Sequence, residues 1–316
     1  PVGVMHAAGG GGGSGAVVCR VHASSAFREI RASCNIGESS FWSSLMDVTE
    51  IGNPGKGGQR LFRTGDKQFF LKSMAGIELT MLEHIMNPPD GSGIERYVDH
   101  MATETLLCKF VGWLSVDTDD EVTWLIVMCN ILPSTVCGVE KLMQFDLKGS
   151  WHGRKASEKE LKKGRGATLK DLDFWHEDPH QPEDEAEHTA RFLYNSTWQG
   201  CLGLQTQQCE QLLQRIENAL DFLGQHGVMD HSLLMGLYEV TDVSDETIAQ
   251  ALEATPQGGA FFATATHLRV DREGALLPGR ETRCANFIVH CGIIDVLQTY
   301  NRGRKFQHHF VGACDY

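Results

Sequence analysis

Four ionisable residues stand in apolar surroundings where charge is expensive. Lys72 follows Phe69-Phe-Leu, Lys148 lies in Phe145-Asp-Leu-Lys-Gly-Ser150, Asp230 in Val228-Met-Asp-His-Ser-Leu-Leu234, and Asp295 in Gly292-Ile-Ile-Asp-Val-Leu297. Burying a lone ammonium or carboxylate is costly, so each residue implies an opposite charge or a phosphate beside it. Two cations and two anions suit a nucleotide and its Mg²⁺, with the lysines on phosphate oxygens, one carboxylate on the metal and one near an acceptor hydroxyl. The same four charges also fit structural ion pairs. Upstream, Asn53-Pro-Gly-Lys-Gly-Gly58 supplies Gly55, Gly57 and Gly58, whose missing Cβ atoms would let backbone approach a phosphate. A plain turn fits that stretch as well.

These residues need elements to position them. Leu61-Phe-Arg63 and Lys67 to Met74, separated by Thr64-Gly65-Asp66, read as a hairpin. A helix is expected from Ile77 to Met86, ended by Asn87-Pro-Pro89, and a buried strand from Val122 to Met128. The helix offers Glu78 or Glu83 as partner for Lys72. A glycine turn, a strand lysine and a helix glutamate, in that order, make the phosphate-binding half of a protein-kinase-like site. Lys72 alone also fits a strand lysine whose stem lies on apolar surface with its head in water. Cys209, Leu212, Leu213, Ile216, Leu220 and Leu223 recur at helical spacing before Gly224 and Gly227, which predicts a helix over Cys209 to Leu223. Ser232 to Val240 and Asn286 to Leu297 read as strands of a second lobe, and Thr241 to Arg283 mostly as an insertion or loop. Gly9 to Gly15 reads as a flexible lead-in.

Composition narrows the function classes. The 316 residues include 28 Lys and Arg against 41 Asp and Glu, a formal net charge of −13, which argues against non-specific nucleic-acid binding. Charge is uneven, however: Lys141 to Lys170 holds nine basic residues against Asp146, Glu158 and Glu160, and Asp171 to Glu187 holds eight acidic residues with no lysine or arginine. The basic run suggests an anionic membrane surface as partner, provided Arg154, Lys155, Lys159, Lys162, Lys163 and Arg165 share a face. Ten cysteines include no CxxC or CxC pair, so a zinc knuckle is not expected, and several lie in apolar runs as buried thiols of a cytosolic protein do. His176-Glu-Asp-Pro-His180 matches a zinc-protease pattern in letters only, because Pro179 breaks the helix that chemistry requires. No run reaches about 18 apolar residues, so any membrane contact is peripheral.

The segments around the four charges carry a resemblance. The chain resembles the phosphatidylinositol phosphate kinases, whose DLKGS, MDYSLL and IID signatures stand here as Asp146 to Ser150, Met229 to Leu234 with His231 for tyrosine, and Ile293 to Asp295. Weaker similarity runs from Phe27-Arg-Glu-Ile-Arg31 through Phe69-Phe-Leu-Lys72, Ile126-Val-Met128, Gly153-Arg154 and Lys170-Asp-Leu-Asp-Phe174 to Lys305. The resemblance implies an α/β (α+β), two-lobed, protein-kinase-like fold of antiparallel sheets with packed helices. Its parts would be a lead-in over 1–16, an N-terminal lobe over 17–132 and a catalytic lobe over 133–316. It implies transfer of the ATP γ-phosphate to an inositol-ring hydroxyl of a phosphoinositide at the cytosolic membrane face, with ATP and Mg²⁺ as cofactors and homodimerisation left open.

By motif, Lys72 would hold the nucleotide phosphates with Lys148 assisting, and Gly55, Gly57 and Gly58 would line the phosphate loop. Asp230 would match the catalytic aspartate and Asp295 the Mg²⁺ ligand. Val127 to Leu132, with Met128 and Asn130, would lie beside adenine, and Glu78 would pair with Lys72. Two departures stand out: His231 replaces tyrosine, and the chain stops at Tyr316, where the family's lipid-selecting activation loop would follow, so a truncated product is expected. An impaired relative that only binds nucleotide or lipid, and a soluble inositol polyphosphate kinase, are the rival readings.

Overall fold

A computed structural model describes residues 3–6, 18–51, 59–87, 93–103, 105–118, 121–150, 153–174, 202–203, 206–240, 242–253, 259–267 and 283–298. Gly55, Gly57 and Gly58, the run Gly9 to Gly15, the His176 to His180 stretch and Lys305 lie outside the described residues, as does most of the acidic run.

The first sheet is built from β1 (Gly3–His6), β2 (Val18–His22), β3 (Val48–Glu50), β4 (Leu61–Thr64), β5 (Phe69–Ser73), β6 (Phe110–Asp117) and β7 (Val122–Cys129). Its order is β1-β2-β6-β7-β5-β4-β3, every pair antiparallel. The hairpin expected around Thr64 to Asp66 is β4 and β5. β1 falls inside the segment expected as lead-in and pairs with β2. Four helices accompany this sheet: α1 (Ser24–Ser33), α2 (Glu38–Leu45), α3 (Gly76–Met86) and α4 (Gly93–Ala102), with α4 packed on both α1 and α3. Arg31 of α1 is buried, yet its charge is satisfied: it donates to both carboxylate oxygens of Glu38, at 2.6 and 2.8 Å, and to the Val111 carbonyl at 2.7 Å. That arginine pins α1 and α2 to β6.

The second sheet has the order β11-β10-β13-β15-β14-β12. It comprises β10 (Met143–Leu147), β11 (Thr168–Lys170), β12 (Leu202–Gly203), β13 (Ser232–Glu239), β14 (Gly259–His267) and β15 (Arg283–Ile294), while β8 (Thr135–Val136) and β9 (Val139–Glu140) form a small hairpin between the sheets. Its helices are α5 (Glu158–Leu161), α6 (Asp171–Phe174), α7 (Thr206–Gln225) and α8 (Asp245–Glu253). The helix expected over Cys209 to Leu223 is α7, and the strands expected at Ser232 and Asn286 are β13 and β15. The span 241–283, expected mostly as loop, instead contains α8 and the nine-residue β14, which pairs with β15 along its whole length. Gly259 to His267 mixes strand-favouring Phe and Thr with Gly and Ala, and its pairing with β15 fixes it as a strand. This mixed content of helix and antiparallel sheet, with β10 and β11 the one parallel exception among described pairs, matches the expected fold class.

One hydrophobic core joins residues of both sheets, from Val21 and Leu82 to Phe145 and Leu297. Backbone also crosses between them: Cys108 N–H donates to the Ile293 carbonyl at 2.8 Å and Ile293 N–H to the Leu106 carbonyl at 2.7 Å. Among the described residues no helix is long and apolar enough to cross a membrane.

Candidate active site

Sheet register brings the second-sheet charges together. Because β10, β13 and β15 run antiparallel in that order, the end of β10, the start of β13 and the end of β15 share one edge, with Leu147 opposite Leu233 and Ser232 opposite Ile294. Adjacent strands lie about 4.8 Å apart, so Lys148, Asp230 and Asp295, each just beyond a strand end, fall within one side chain's reach of each other. Both aspartates turn the chain with left-handed backbone, φ 65° at Asp230 and 62° at Asp295, a conformation aspartate tolerates better than most residues.

The first sheet supplies Lys72 from β5, opposite Leu61 and Ile126. Its ammonium lies 2.8 Å from Glu78 Oε1. Glu78 is buried in the first turn of α3, where its Oε2 accepts the Ala75 N–H at 3.0 Å and also meets Gln59. Glu83 is exposed, so the choice between the two glutamates falls on Glu78.

Asp295 is where the two sheets meet electrostatically. Burial pushes its carboxyl above the ordinary aspartate value, Lys72 and Lys148 pull it down, and Asp146 and Asp230 push it up. Asp295 forms no hydrogen bond or ion pair with the described residues. Lys148 donates to Asp230 Oδ1 at 2.5 Å and to the Asp230 carbonyl at 3.0 Å. Behind it, buried Asp171 accepts the N–H groups of Lys148 and Gly149 at 2.9 and 2.8 Å and pairs with Arg154 Nε at 2.7 Å. Arg154 also bonds the Asp146 carbonyl and lies 3.3 Å from Asp146 Oδ1. His231 sits beside the pair: burial first, then the Lys148 charge, holds its imidazole below the usual value against the pull of Asp230. Its Nδ1 is buried without a hydrogen-bond partner among the described residues.

Met128, Leu234 and Ile294 are half-buried around a cluster formed by Cys108, Ile131 and Leu132, which gives an apolar surface next to Asp295. The linker after β7 is seated on the second sheet. At Gly236 a Cβ would come 2.9 Å from Leu132 Cδ2, and at Gly292 one would come 2.7 Å from Ile131 Cδ1, so a side chain at either position would push the linker's side chains aside. Tyr238 donates its hydroxyl to the Pro133 carbonyl at 2.5 Å. Asn130 works inside the protein: its N–H donates to the Gln68 carbonyl, its Nδ2 to the Lys67 carbonyl, and its Oδ1 accepts the Leu132 N–H. Burial pushes the Cys108 thiol beneath this surface up to about 12, so it stays protonated.

A family model described as phosphatidylinositol-4-phosphate 5-kinase matches residues 43–315. The chain belongs to the phosphatidylinositol-4-phosphate 5-kinase family. Among curated relatives, phosphatidylinositol 4-phosphate 5-kinase 6 of Arabidopsis thaliana is 24% identical over 89% of this chain and 40% of the relative. The type-1 alpha 5-kinases of Mus musculus and Rattus norvegicus are 26% and 27% identical, each over 92% of this chain and 51% of the relative. The chain thus spans about half the length of the relatives it matches.

Of the residues singled out from sequence, the structure gathers Lys72, Glu78, Lys148, Asp230 and Asp295 around one centre and places Met128 at its apolar edge. Asn130 lies at the linker but spends its side chain on the protein. Sequence reasoning gave no role to Asp171 or Tyr238; the available signal for Asp171 was a carboxylate between Leu169 and Phe174, in a stretch already noted for its similarity. Arg154, expected in a surface basic run, faces inward to Asp146 and Asp171, while Lys159, Lys162 and Lys163 are exposed.

Proposed function

We propose that this chain is the catalytic part of a phosphoinositide kinase that transfers the γ-phosphoryl group of ATP to an inositol-ring hydroxyl. The carrying observation is that Lys148, Asp230 and Asp295 share one edge of the second sheet, and that backbone bonds of Ile293 with Leu106 and Cys108 tie this edge to the segment leading into the sheet that carries Lys72. Two ammonium groups, one held by Glu78 and one by Asp230, lie near a carboxylate that neither of them bonds, with an apolar surface alongside, and this arrangement suits a nucleotide and its metal.

The residues also fit Mg²⁺. Among the described residues no three His, Cys, Asp or Glu side chains cluster as a complete metal cage, and Mg²⁺ characteristically takes one or two carboxylates and fills its shell with phosphate oxygens and water. Asp295 has no competing protein donor among the described residues. Bound Mg²⁺ supplies positive charge that offsets the phosphate oxygens. Lys72, fixed by Glu78, directs its ammonium to those oxygens, and the surface of Met128, Leu234 and Ile294 takes the base. Asp230, oriented through Lys148, accepts the proton of the attacking hydroxyl at a carboxylate oxygen. Peripheral contact with an anionic membrane belongs to the same proposal and rests on Lys159, Lys162 and Lys163.

Incubation with labelled ATP, Mg²⁺ and a panel of phosphoinositides and soluble inositol phosphates tests the proposal. Label in a phosphoinositide supports it. Label only in soluble inositol phosphates favours the soluble-kinase reading, and nucleotide binding with no transfer favours an impaired relative, for which the specific observation is a buried His231 Nδ1 with no partner among the described residues.

A further inference from the structure

We propose that Asp171 is a positioning residue that sets the reach of Lys148 and, through it, the orientation of Asp230; this rests on the kinase reading of the site. Asp171 is 3% exposed, and its known donors all come from the segment that carries Lys148. Oδ1 receives the N–H groups of Lys148 and Gly149, and Oδ2 receives Arg154 Nε. The parallel pairing of β10 with β11 places Asp146 opposite Lys170, which delivers the next residue, Asp171, beside the end of β10. Gly149 and Gly153, at φ 68° and 66°, let the chain fold back so that Arg154 closes the ring. The far end of Lys148 is then held at Asp230 by two hydrogen bonds.

Backbone of Lys148 is therefore fixed from one side and its ammonium used on the other. Asp171 itself approaches neither Asp230 nor Asp295 in any hydrogen bond or ion pair described. A shift of the Lys148 backbone moves the ammonium by a comparable distance, and misplacement of about 1 Å in a catalytic group lowers rate about a hundredfold. Arg154 has a second effect, because it lies against Asp146, one of the like charges near Asp295.

Asp171→Ala and Asp171→Asn separate this role from a general contribution to folding. In Asp171→Ala the Lys148 and Gly149 amides lose their acceptor, and their hydrogen exchange should accelerate about tenfold in the ligand-free protein. In phosphoryl transfer the same variant should lower kcat about thirtyfold or more while KM for ATP stays within about threefold, as expected when orientation and not ground-state binding is lost. Asp171→Asn keeps an oxygen for the two backbone donors, so its exchange should remain slow and its kcat should fall by less than about tenfold. Unchanged exchange in Asp171→Ala overturns the proposal, as does a loss of activity that only tracks the folded fraction. If the wild-type chain transfers no phosphate, the kinase reading fails, while the exchange comparison still decides whether Asp171 holds Lys148.

Discussion

The two lysine supports are built in different ways. Lys72 and Glu78 are six residues apart, joined across one strand end and the start of a helix. Lys148 and Asp230 are 82 residues apart and meet only because β10 and β13 pair in register. Exposure differs too: the side chains of Glu78 and Asp230 are 5% and 30% exposed. The first support is local and desolvated, and the second is assembled by tertiary structure and stays open to solvent. Loss of a partner should therefore disturb stability more in the first and geometry more in the second.

The largest expected effect falls on the two aspartates at the edge of the second sheet. Asp295→Asn and Asp230→Asn should each lower Mg²⁺-dependent phosphoryl transfer by about a thousandfold or more, through lost metal-binding charge and a lost proton acceptor respectively. Asparagine tolerates the left-handed backbone at both positions, so melting temperatures should barely move. A folded Asp295→Asn variant with normal turnover removes that residue from the site.

Acid should act on both regions at once, because one core spans them. Burial pushes His100 of α4 and His290 of β15 down to about 4. The unfolded chain binds protons near pH 6.5 while the folded one does not, so stability falls as pH drops from about 6.5 to 4, more through the deeply buried His290 than through His100. Urea unfolding across this window should show a single transition, with a shallower pH slope in His100→Asn and in His290→Asn. Two transitions, each sensitive to only one histidine, would break the single-core picture.

The lysines themselves distinguish the supports. Lys72→Met and Lys148→Met should each reduce transfer about a hundredfold through lost phosphate or aspartate contacts. Only Lys72→Met strands a buried carboxylate, at a cost of about 1–3 kcal/mol of stability, whereas Lys148→Met should cost under about 1 kcal/mol because Asp230 reaches water. Denaturant midpoints that reverse this order would contradict the comparison. The smallest effect is expected from Tyr238→Phe, which removes the hydroxyl bonded to Pro133 and should cost about 1 kcal/mol, with a severalfold rise in KM for ATP as the linker loosens. Unchanged KM would confine Tyr238 to packing.

Legibility in the sequence follows the same division. The hairpin of β4 and β5, the helix α3 and the charge on Lys72 are all local, and residue spacing alone indicated them. Spacing could not choose between Glu78 and Glu83, since both lie on α3 and only the angle at which the helix meets β5 decides. Lys148, Asp230 and Asp295 were individually conspicuous as charges in apolar segments, yet their meeting depends on strand order, which no local pattern encodes. The Asp171 and Arg154 ring lay further from view, because it needs a parallel strand pair and two left-handed glycines. β14 escaped for a related reason: its Gly and Ala residues interrupt the strand-favouring Phe and Thr, and pairing with β15 completes the strand.

The most direct test of the claim that both sheets act on one centre is titration of the Asp295 carboxyl by carbon NMR in the ligand-free protein. Its midpoint is predicted above the ordinary aspartate value, because burial disfavours the charge. Removing either cation, in Lys72→Met or in Lys148→Met, should raise it further, since each ammonium favours the carboxylate. An ordinary midpoint, or one that responds to only one of the two lysines, would contradict the account.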